Sequence, residues 1–268
     1  MDPESVEDIL KDSLTVFDED ESSNLGISRI TYGPLEITVA PKANTLMADQ
    51  VFSPSILLAE RMELGLIPVH QCSVIELGAG TALPSLIASI LPVAHVPTLV
   101  VVTDYPDPTI LDNLMNNVVR NQPHVTAGCE VQWTGYEWGK DQRSLPGLSP
   151  TVSPGYDVVI LSDLLHFDRS HPELLSSLCA LLARRSESRT YVAAGVYTRS
   201  EHCDSFLRNA EALGIFWCSS YEDESPEDKT DGWAGKMEIT GLHPEQLQAR
   251  KRMCRWWVGR WSERSLME

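Results

Sequence analysis

The chain has 268 residues, enough to bury a sizeable core in one large domain, and its hydrophobic fraction of 43% is ordinary for a soluble globular protein. No apolar stretch approaches the roughly 20 residues that cross a bilayer, so no membrane partner is expected. The net charge of −17 would repel phosphate backbones over most of the surface, which excludes a nucleic-acid partner and suits either a basic protein or a small neutral substrate.

Residues 1 to 24 are acidic and end in Asp18-Glu19-Asp20-Glu21; they predict a short helix around Val6 to Leu14 and then a linker. An acidic start is neither a secretory signal nor a transit peptide. Ile27 to Thr31 and Leu35 to Val39 flank Gly33-Pro34 and read as a hairpin. Ser53-Pro54 opens a helix, with serine as N-cap and proline at the first helical position. From Cys72 onward strands and helices alternate. Strands are predicted at Ser73 to Leu77, Thr98 to Thr103, Glu130 to Trp133, Tyr156 to Leu161, Thr190 to Val196 and Ile215 to Ser220. Helices are predicted at Leu83 to Leu91, Pro108 to Asn121, Pro172 to Ala183 and Ser200 to Leu213. The valine run before Thr103 has the composition of a strand covered on both faces. Residues 139–155 and 222–232 read as polar loops, and Arg252 to Val258 as a final strand.

Alternation of this length means a mostly parallel sheet wound by helices on both faces, an α/β fold. The organisation read from it is an acidic segment at residues 1–24 and a single domain at 25–268. Within that domain, 25–70 hold the hairpin and first helix and 71–268 the core. Arg250-Lys251-Arg252, with Arg255, Arg260 and Arg264, departs from the acidic background and reads as a basic edge strand with a solvated face. The six cysteines are scattered without a CxxC pair, which argues against a zinc site, so no metal is expected. The same pattern fits reduced thiols in a cytoplasmic or nuclear compartment.

Four motifs sit at predicted strand ends. Gly78-Ala79-Gly80-Thr81 joins a strand to a helix, and glycine lets backbone approach a ligand where a Cβ would clash. A dinucleotide loop wants a third glycine; here Leu83 and Pro84 stand there, and Glu76 precedes the first glycine. Both features resemble the methyltransferase version of the loop. Asp104, followed by Tyr105, ends the valine strand and suits ribose hydroxyls, a role that serves NAD and S-adenosylmethionine alike. Asp107 suits the N-cap of the next helix. Trp138, in Gly135-Tyr136-Glu137-Trp138-Gly139, can lie flat on an adenine or be a core tryptophan. Ser162-Asp163-Leu164-Leu165-His166 ends the fourth core strand, where substrate and cofactor meet in a doubly wound sheet.

Taken together and in this order, these motifs resemble the seven-β-strand S-adenosylmethionine-dependent methyltransferases of the lysine methyltransferase-like family. The resemblance extends over roughly residues 45 to 220. It is strongest to a fungal branch labelled nicotinamide N-methyltransferase-like, which includes enzymes acting on the N-terminus and a nearby lysine of translation elongation factor 1A. It implies a Rossmann-like class I fold with a seven-stranded sheet. It further implies that Glu76, Gly78, Ala79, Gly80, Asp104, Tyr105, Trp138 and Ser162 hold the cofactor. Two positions depart from the family pattern. Gln50-Val51-Phe52-Ser53 stands where a tryptophan usually precedes the first helix, and His166 stands where protein-lysine members often have an aromatic residue.

Methyl transfer from a sulfonium is mainly a positioning problem. A phenol or a protonated amine must also lose a proton, and His166 is the candidate base, with Asp163 to orient it or to contact an acceptor amine. Phe52 and Tyr197 are candidate lining residues. The first expectation is a small aromatic acceptor, a phenol or ring nitrogen, motivated by His166. The alternative is a lysine or N-terminal amine of a basic protein such as a translation elongation factor. A scaffold that binds cofactor without catalysis gains nothing from the sequence, because the cofactor motifs are intact.

Overall fold

The structure, a computed structural model, describes residues 29–40, 51–148, 155–218 and 232–267. The predicted helix at Val6 to Leu14, the acidic stretch and all of the loop 222–232 except Gly232 lie outside the described residues. The first described elements are β1 (Arg29–Tyr32) and β2 (Leu35–Thr38), an antiparallel hairpin turning at Gly33-Pro34. Helix α1 (Ser53–Glu63) follows. Its N-cap is Phe52 rather than Ser53. The Ser53 hydroxyl is buried and instead accepts from Arg250 Nη1 at 3.1 Å.

The core then runs β3 (Ser73–Leu77), α2 (Leu83–Ser89), β4 (Leu99–Asp104), α3 (Pro108–Asn121) and β5 (Glu130–Gly135). It continues with β6 (Val158–Ser162), α4 (His171–Leu181), β7 (Arg189–Gly195), α5 (Ser200–Ala212) and β8 (Ile215–Cys218). Helix α6 (Pro244–Arg252), strand β9 (Cys254–Trp261) and helix α7 (Glu263–Met267) complete it. Seven strands form one sheet in the order β5-β4-β3-β6-β7-β9-β8. The five from β5 to β7 are parallel, and β9 lies antiparallel between β7 and β8. This is the Rossmann-like arrangement expected.

Side chains alternate across a strand, so a doubly covered sheet splits each strand between two cores. Val74, Val100, Val102, Val158 and Ile160 pack with the hairpin, α1, α2 and α3. Ile75, Val101, Val159, Leu161 and Val192 pack with α4 and α5 on the other face. The chain winds from β3 out to β5, then returns to β6 on the opposite side of β3. The carboxyl ends of β3 and β6 therefore flank the topological switch point.

Two readings near the C-terminus are corrected. Residues 244–252, given no element apart from Arg252 at the start of the final strand, form a helix, and the strand begins at Cys254; Leu247 is the helix's only large apolar residue, so no periodicity announced it. The basic run does not make an edge strand. Arg250, Lys251 and Arg252 end α6, where cations suit the helix dipole. Arg255 and Arg260 lie on β9, which is internal because β8 takes the edge.

The hairpin is tied to α3 by a stripe of asparagines spaced four apart. Asn117 Oδ1 accepts from the Thr38 amide at 2.9 Å, and its Nδ2 donates to the Thr38 carbonyl at 2.8 Å and to the Thr81 carbonyl at 3.3 Å. Asn121 repeats the pattern on Glu36, accepting at 2.9 Å and donating at 2.8 Å. Side-chain amides here do what a further strand would do for the edge of β2. Asn117 is fully buried. Asn117→Ala removes the acceptor of a buried amide, so urea denaturation should show a loss of about 2–3 kcal/mol. A loss under about 0.5 kcal/mol would mean that apolar contacts alone hold the hairpin.

Candidate active site

The loop after β3 is built for close approach. Gly78 and Gly80 have φ of +57° and +54°, a region that favours glycine. A Cβ on Gly78 would lie 2.8 Å from Leu164 Cδ2 and 3.1 Å from Trp138 Cζ2, whereas a Cβ on Gly80 would meet nothing within 4 Å. The Gly80 amide donates to Asp104 Oδ2 at 2.7 Å and the Tyr105 amide to Oδ1 at 2.7 Å. Burial pushes the Asp104 carboxyl up to about 6, against the pull of those two amides. Asp107 caps α3 as expected, accepting from the Thr109 amide at 2.9 Å.

The loop after β5 is anchored to α4 through Ser177. Its hydroxyl accepts from the Gly139 amide at 2.8 Å and meets the Tyr136 hydroxyl at 3.0 Å. That anchorage holds Trp138 against the cavity, with its ring 6.0 Å from that of Phe167. Across the cleft, β6 ends at Ser162, and Asp163 turns the chain with φ of +61°. Asp163 Oδ2 accepts from the Tyr197 hydroxyl at 2.5 Å and Oδ1 from the Gly195 amide at 3.2 Å. Its carboxylate is thus directed to the end of β7. Both carboxylate oxygens are engaged there, and what Asp163 turns toward His166 is its backbone carbonyl.

Between these loops lies a cavity of about 490 Å³, within the usual size of ligand sites. Its wall includes Gly78, Ala79, Gly80, Asp104, Tyr105, Trp138, Ser162, Asp163, His166 and Phe52, all singled out from the sequence. Two sequence-derived candidates stand elsewhere. Tyr197 lies behind Phe52, ring centroids 6.4 Å apart, with its hydroxyl occupied by Asp163. Glu76 is fully buried behind the glycine loop and accepts from Ser85 Oγ at 2.5 Å. Burial pushes Glu76 up to about 8, so at neutral pH it is largely an uncharged acid bracing α2 against β3. Sequence reasoning missed Phe167 and Glu173, which also line the cavity; they come from the turn and helix after His166, where no strand-end motif pointed.

His166 is 9% exposed; its imidazole faces the Asp163 backbone carbonyl, but neither ring nitrogen meets that oxygen with good hydrogen-bond geometry. Ser162 Oγ also makes no hydrogen bond among the described residues. Burial pushes His166 down to about 4, so its imidazole is neutral at physiological pH. Buried polar atoms are nearly always satisfied, and these atoms belong to residues of the cavity wall.

A model of the family described as lysine methyltransferase matches residues 39–212 of the chain. The chain belongs to the lysine methyltransferase family. Its relatives include the protein N-terminal and lysine N-methyltransferase EFM7 of Eremothecium gossypii, 39% identical over 118 residues, which are 43% of this chain and 43% of that protein. The protein of the same name from Schizosaccharomyces pombe is 30% identical over 164 residues, 60% of this chain and 61% of that one. The chain spans about half the length of the curated relatives it matches, with 48% of the Emericella nidulans protein and 55% of the Neurospora crassa protein covered. Among solved structures, a SAM-dependent methyltransferase from Aquifex aeolicus is similar with a TM-score of 0.45 and 14% identity, over 77% of this chain and 92% of that one. The relatives' names go with the protein-methyltransferase half of the sequence resemblance and give the nicotinamide half no support.

The family's cofactor is S-adenosylmethionine, and the cavity fits it. One wall presents a carboxylate suited to hydroxyls, another an aromatic face, and the far end two polar side chains in need of partners. No helix among the described residues is long and apolar enough to cross a membrane.

Proposed function

We propose that the chain transfers a methyl group from S-adenosylmethionine to an amine of a protein, a lysine or an N-terminus. The observation that carries this reading is the single cavity joining the Gly78–Gly80 loop and Asp104 to the unsatisfied Ser162 and His166, in a chain of this family. The relatives' names support an amine on a protein as acceptor.

In this reading Asp104 binds the ribose hydroxyls, the backbone of Gly78, Ala79 and Gly80 passes beside the ligand, and Trp138 and Tyr105 flank the adenine. Ser162 faces the sulfonium side. When bound, the cofactor supplies a methyl group on a positively charged sulfur. The protein's task is to bring a neutral nitrogen in line with it. Phe52 and Phe167 give the acceptor end an apolar wall that excludes water and lowers the cost of holding the amine uncharged. His166, kept neutral by burial, accepts a hydrogen bond from an amine N–H and fixes its direction; at about 4 it is too weak a base to take the proton of an ammonium or a phenol. The same weakness counts against the small aromatic acceptor. None of the six cysteines is disulfide-bonded, which suits a reducing, cytoplasmic compartment.

Radiolabelled S-adenosylmethionine offered with lysine-bearing and free-N-terminus peptides, and separately with phenols and nicotinamide, tests the acceptor. Label is expected on the peptides; label on the small aromatics alone would overturn the reading. His166→Ala should lower kcat/KM by about tenfold, the weight of one hydrogen bond, with cofactor affinity unchanged. With the cofactor saturating, so that Asp104 does not contribute, the wild-type pH profile of kcat should show no inflection near 6.5, the ordinary histidine value. An inflection there that vanished in His166→Ala would return His166 to the role of base.

A further inference from the structure

The basic run singled out in the sequence has no part in the cavity, yet the fold brings it to the acceptor end. Val196 follows Gly195, whose amide binds Asp163, and precedes Tyr197, whose ring stands behind Phe52. The Val196 amide donates to the Met253 carbonyl at 2.8 Å, which sets the start of β9 beside the end of β7. Both side chains lie open, Val196 at 51% and Met253 at 37% exposure. Arg252, next to Met253, is exposed, as is Arg199. Lys251 is paired with Glu60 at 3.0 Å, and Arg255 donates to the carbonyls of Gly195 and Thr198. The sequence has no Asp or Glu from Ser188 to Ser200 or from Arg250 to Ser262, in a chain whose net charge is −17. An aliphatic pair bordered by cations thus rims the acceptor end of an otherwise acidic molecule.

We propose that this rim docks the protein substrate through a segment carrying an aliphatic side chain next to a carboxylate, close in sequence to the amine that is methylated. The inference rests on the function proposed above and narrows its substrate class. It replaces the expected contact with a basic surface: long-range charge would favour basic partners, but the residues at this rim select acidic ones. Val196 and Met253 remove the aliphatic group from water, and Arg252 pairs with the carboxylate. Such a rim pair acts more on selectivity than on raw affinity, and salt weakens it.

The test uses the full chain and two fluorescent, N-acetylated, lysine-free peptides that differ only in Leu-Glu against Leu-Arg. Binding is read by polarisation at low and high salt. The wild type is expected to bind the Leu-Glu peptide about tenfold tighter at low salt, with the preference shrinking as salt screens it. Arg252→Glu should invert the preference and Met253→Ser should weaken both peptides, while the affinity for S-adenosylmethionine, which reports folding, stays unchanged. Equal affinity for the two peptides, or a preference that Arg252→Glu leaves intact, overturns the proposal. If Arg252→Glu fails to fold, the salt dependence and Met253→Ser decide. Lysine-bearing versions of the same peptides separate the two readings: binding without methyl transfer sinks the proposed function alone, and transfer without a Leu-Glu preference sinks the docking rim alone.

Discussion

Asp104→Ala is expected to weaken binding of S-adenosylmethionine by about 100-fold. A hydrogen bond to a charged acceptor is worth about 1.5–3 kcal/mol, and two ribose hydroxyls on one carboxylate lose at least about 3 kcal/mol together. The two amides already on Asp104, from Gly80 and Tyr105, leave lone pairs for those hydroxyls. The pH dependence follows from the raised carboxyl. In the free protein Asp104 takes up a proton near pH 6, so wild-type affinity should fall as pH drops below about 6 and stay level above it. Asp104→Asn should bind weakly at every pH, without that slope. Stability has its own sign. A carboxyl raised from 3.8 to about 6 contributes stability that is complete below its ordinary value and lost as pH rises through about 6. Asp104→Asn sheds the buried charge but keeps only one of the two amide hydrogen bonds, so at pH 8 its stability should stay within about 1 kcal/mol of wild type, which separates lost binding from lost folding. Calorimetric titration gives the affinity and thermal melting the stability; a wild-type affinity flat from pH 5 to 8 would remove Asp104 from the ribose.

The second large effect separates two glycines that look alike in the sequence. Gly78→Ala adds a Cβ at a positive φ, costing about 1–2 kcal/mol in backbone alone, and drives it against Leu164 and Trp138. It should lower the melting temperature of the free protein and disturb Trp138 fluorescence before any ligand is added. Gly80→Ala carries the same backbone cost, but its Cβ meets open space. Its free form should lose only a few degrees of melting temperature, roughly what 1 kcal/mol is worth in a protein of this size. If the cofactor passes over Gly80, Gly80→Ala should nonetheless lose at least tenfold in affinity, because the new methyl stands where the ligand lies. Unchanged affinity in Gly80→Ala would move the ligand off this part of the loop.

Most of the sheet was legible because its central strands are continuous apolar runs punctuated by glycine, serine and aspartate. Val100 to Val102 can be little else than a strand covered on both faces. Helix α6 was not legible: with one large apolar residue its place is set by Leu247, by Arg250 reaching Ser53 and by Lys251 reaching Glu60, all contacts from distant sequence. At the site, strand ends gave away the cavity residues, because an open α/β sheet puts ligands beyond its carboxyl edge. Glu76 stands behind the cavity wall, and a signal for that was present. Strand alternation puts it on the face of Val74, toward α2, and not at the tip with the loop. The Asp163–Tyr197 pair joins residues 34 apart, and no local pattern reports it. Their separation hid the fact that Asp163 is already engaged.

The placement of β9 between β7 and β8 also sets an order of events during synthesis. When the ribosome has released Cys218, every parallel strand exists, yet β8 has no strand to pair with and β7 presents a bare edge. The partner of both is the last strand of the sheet, and its pairing with β7 joins Gly195 to Cys254. Until that strand emerges the nascent chain is a half-sheet with an open, hydrogen-bond-hungry side, the form in which such chains stick to one another or call on chaperones. Asp163 is bound from the end of β7, so the acceptor side of the cavity takes its final shape only after β9 has emerged and paired there.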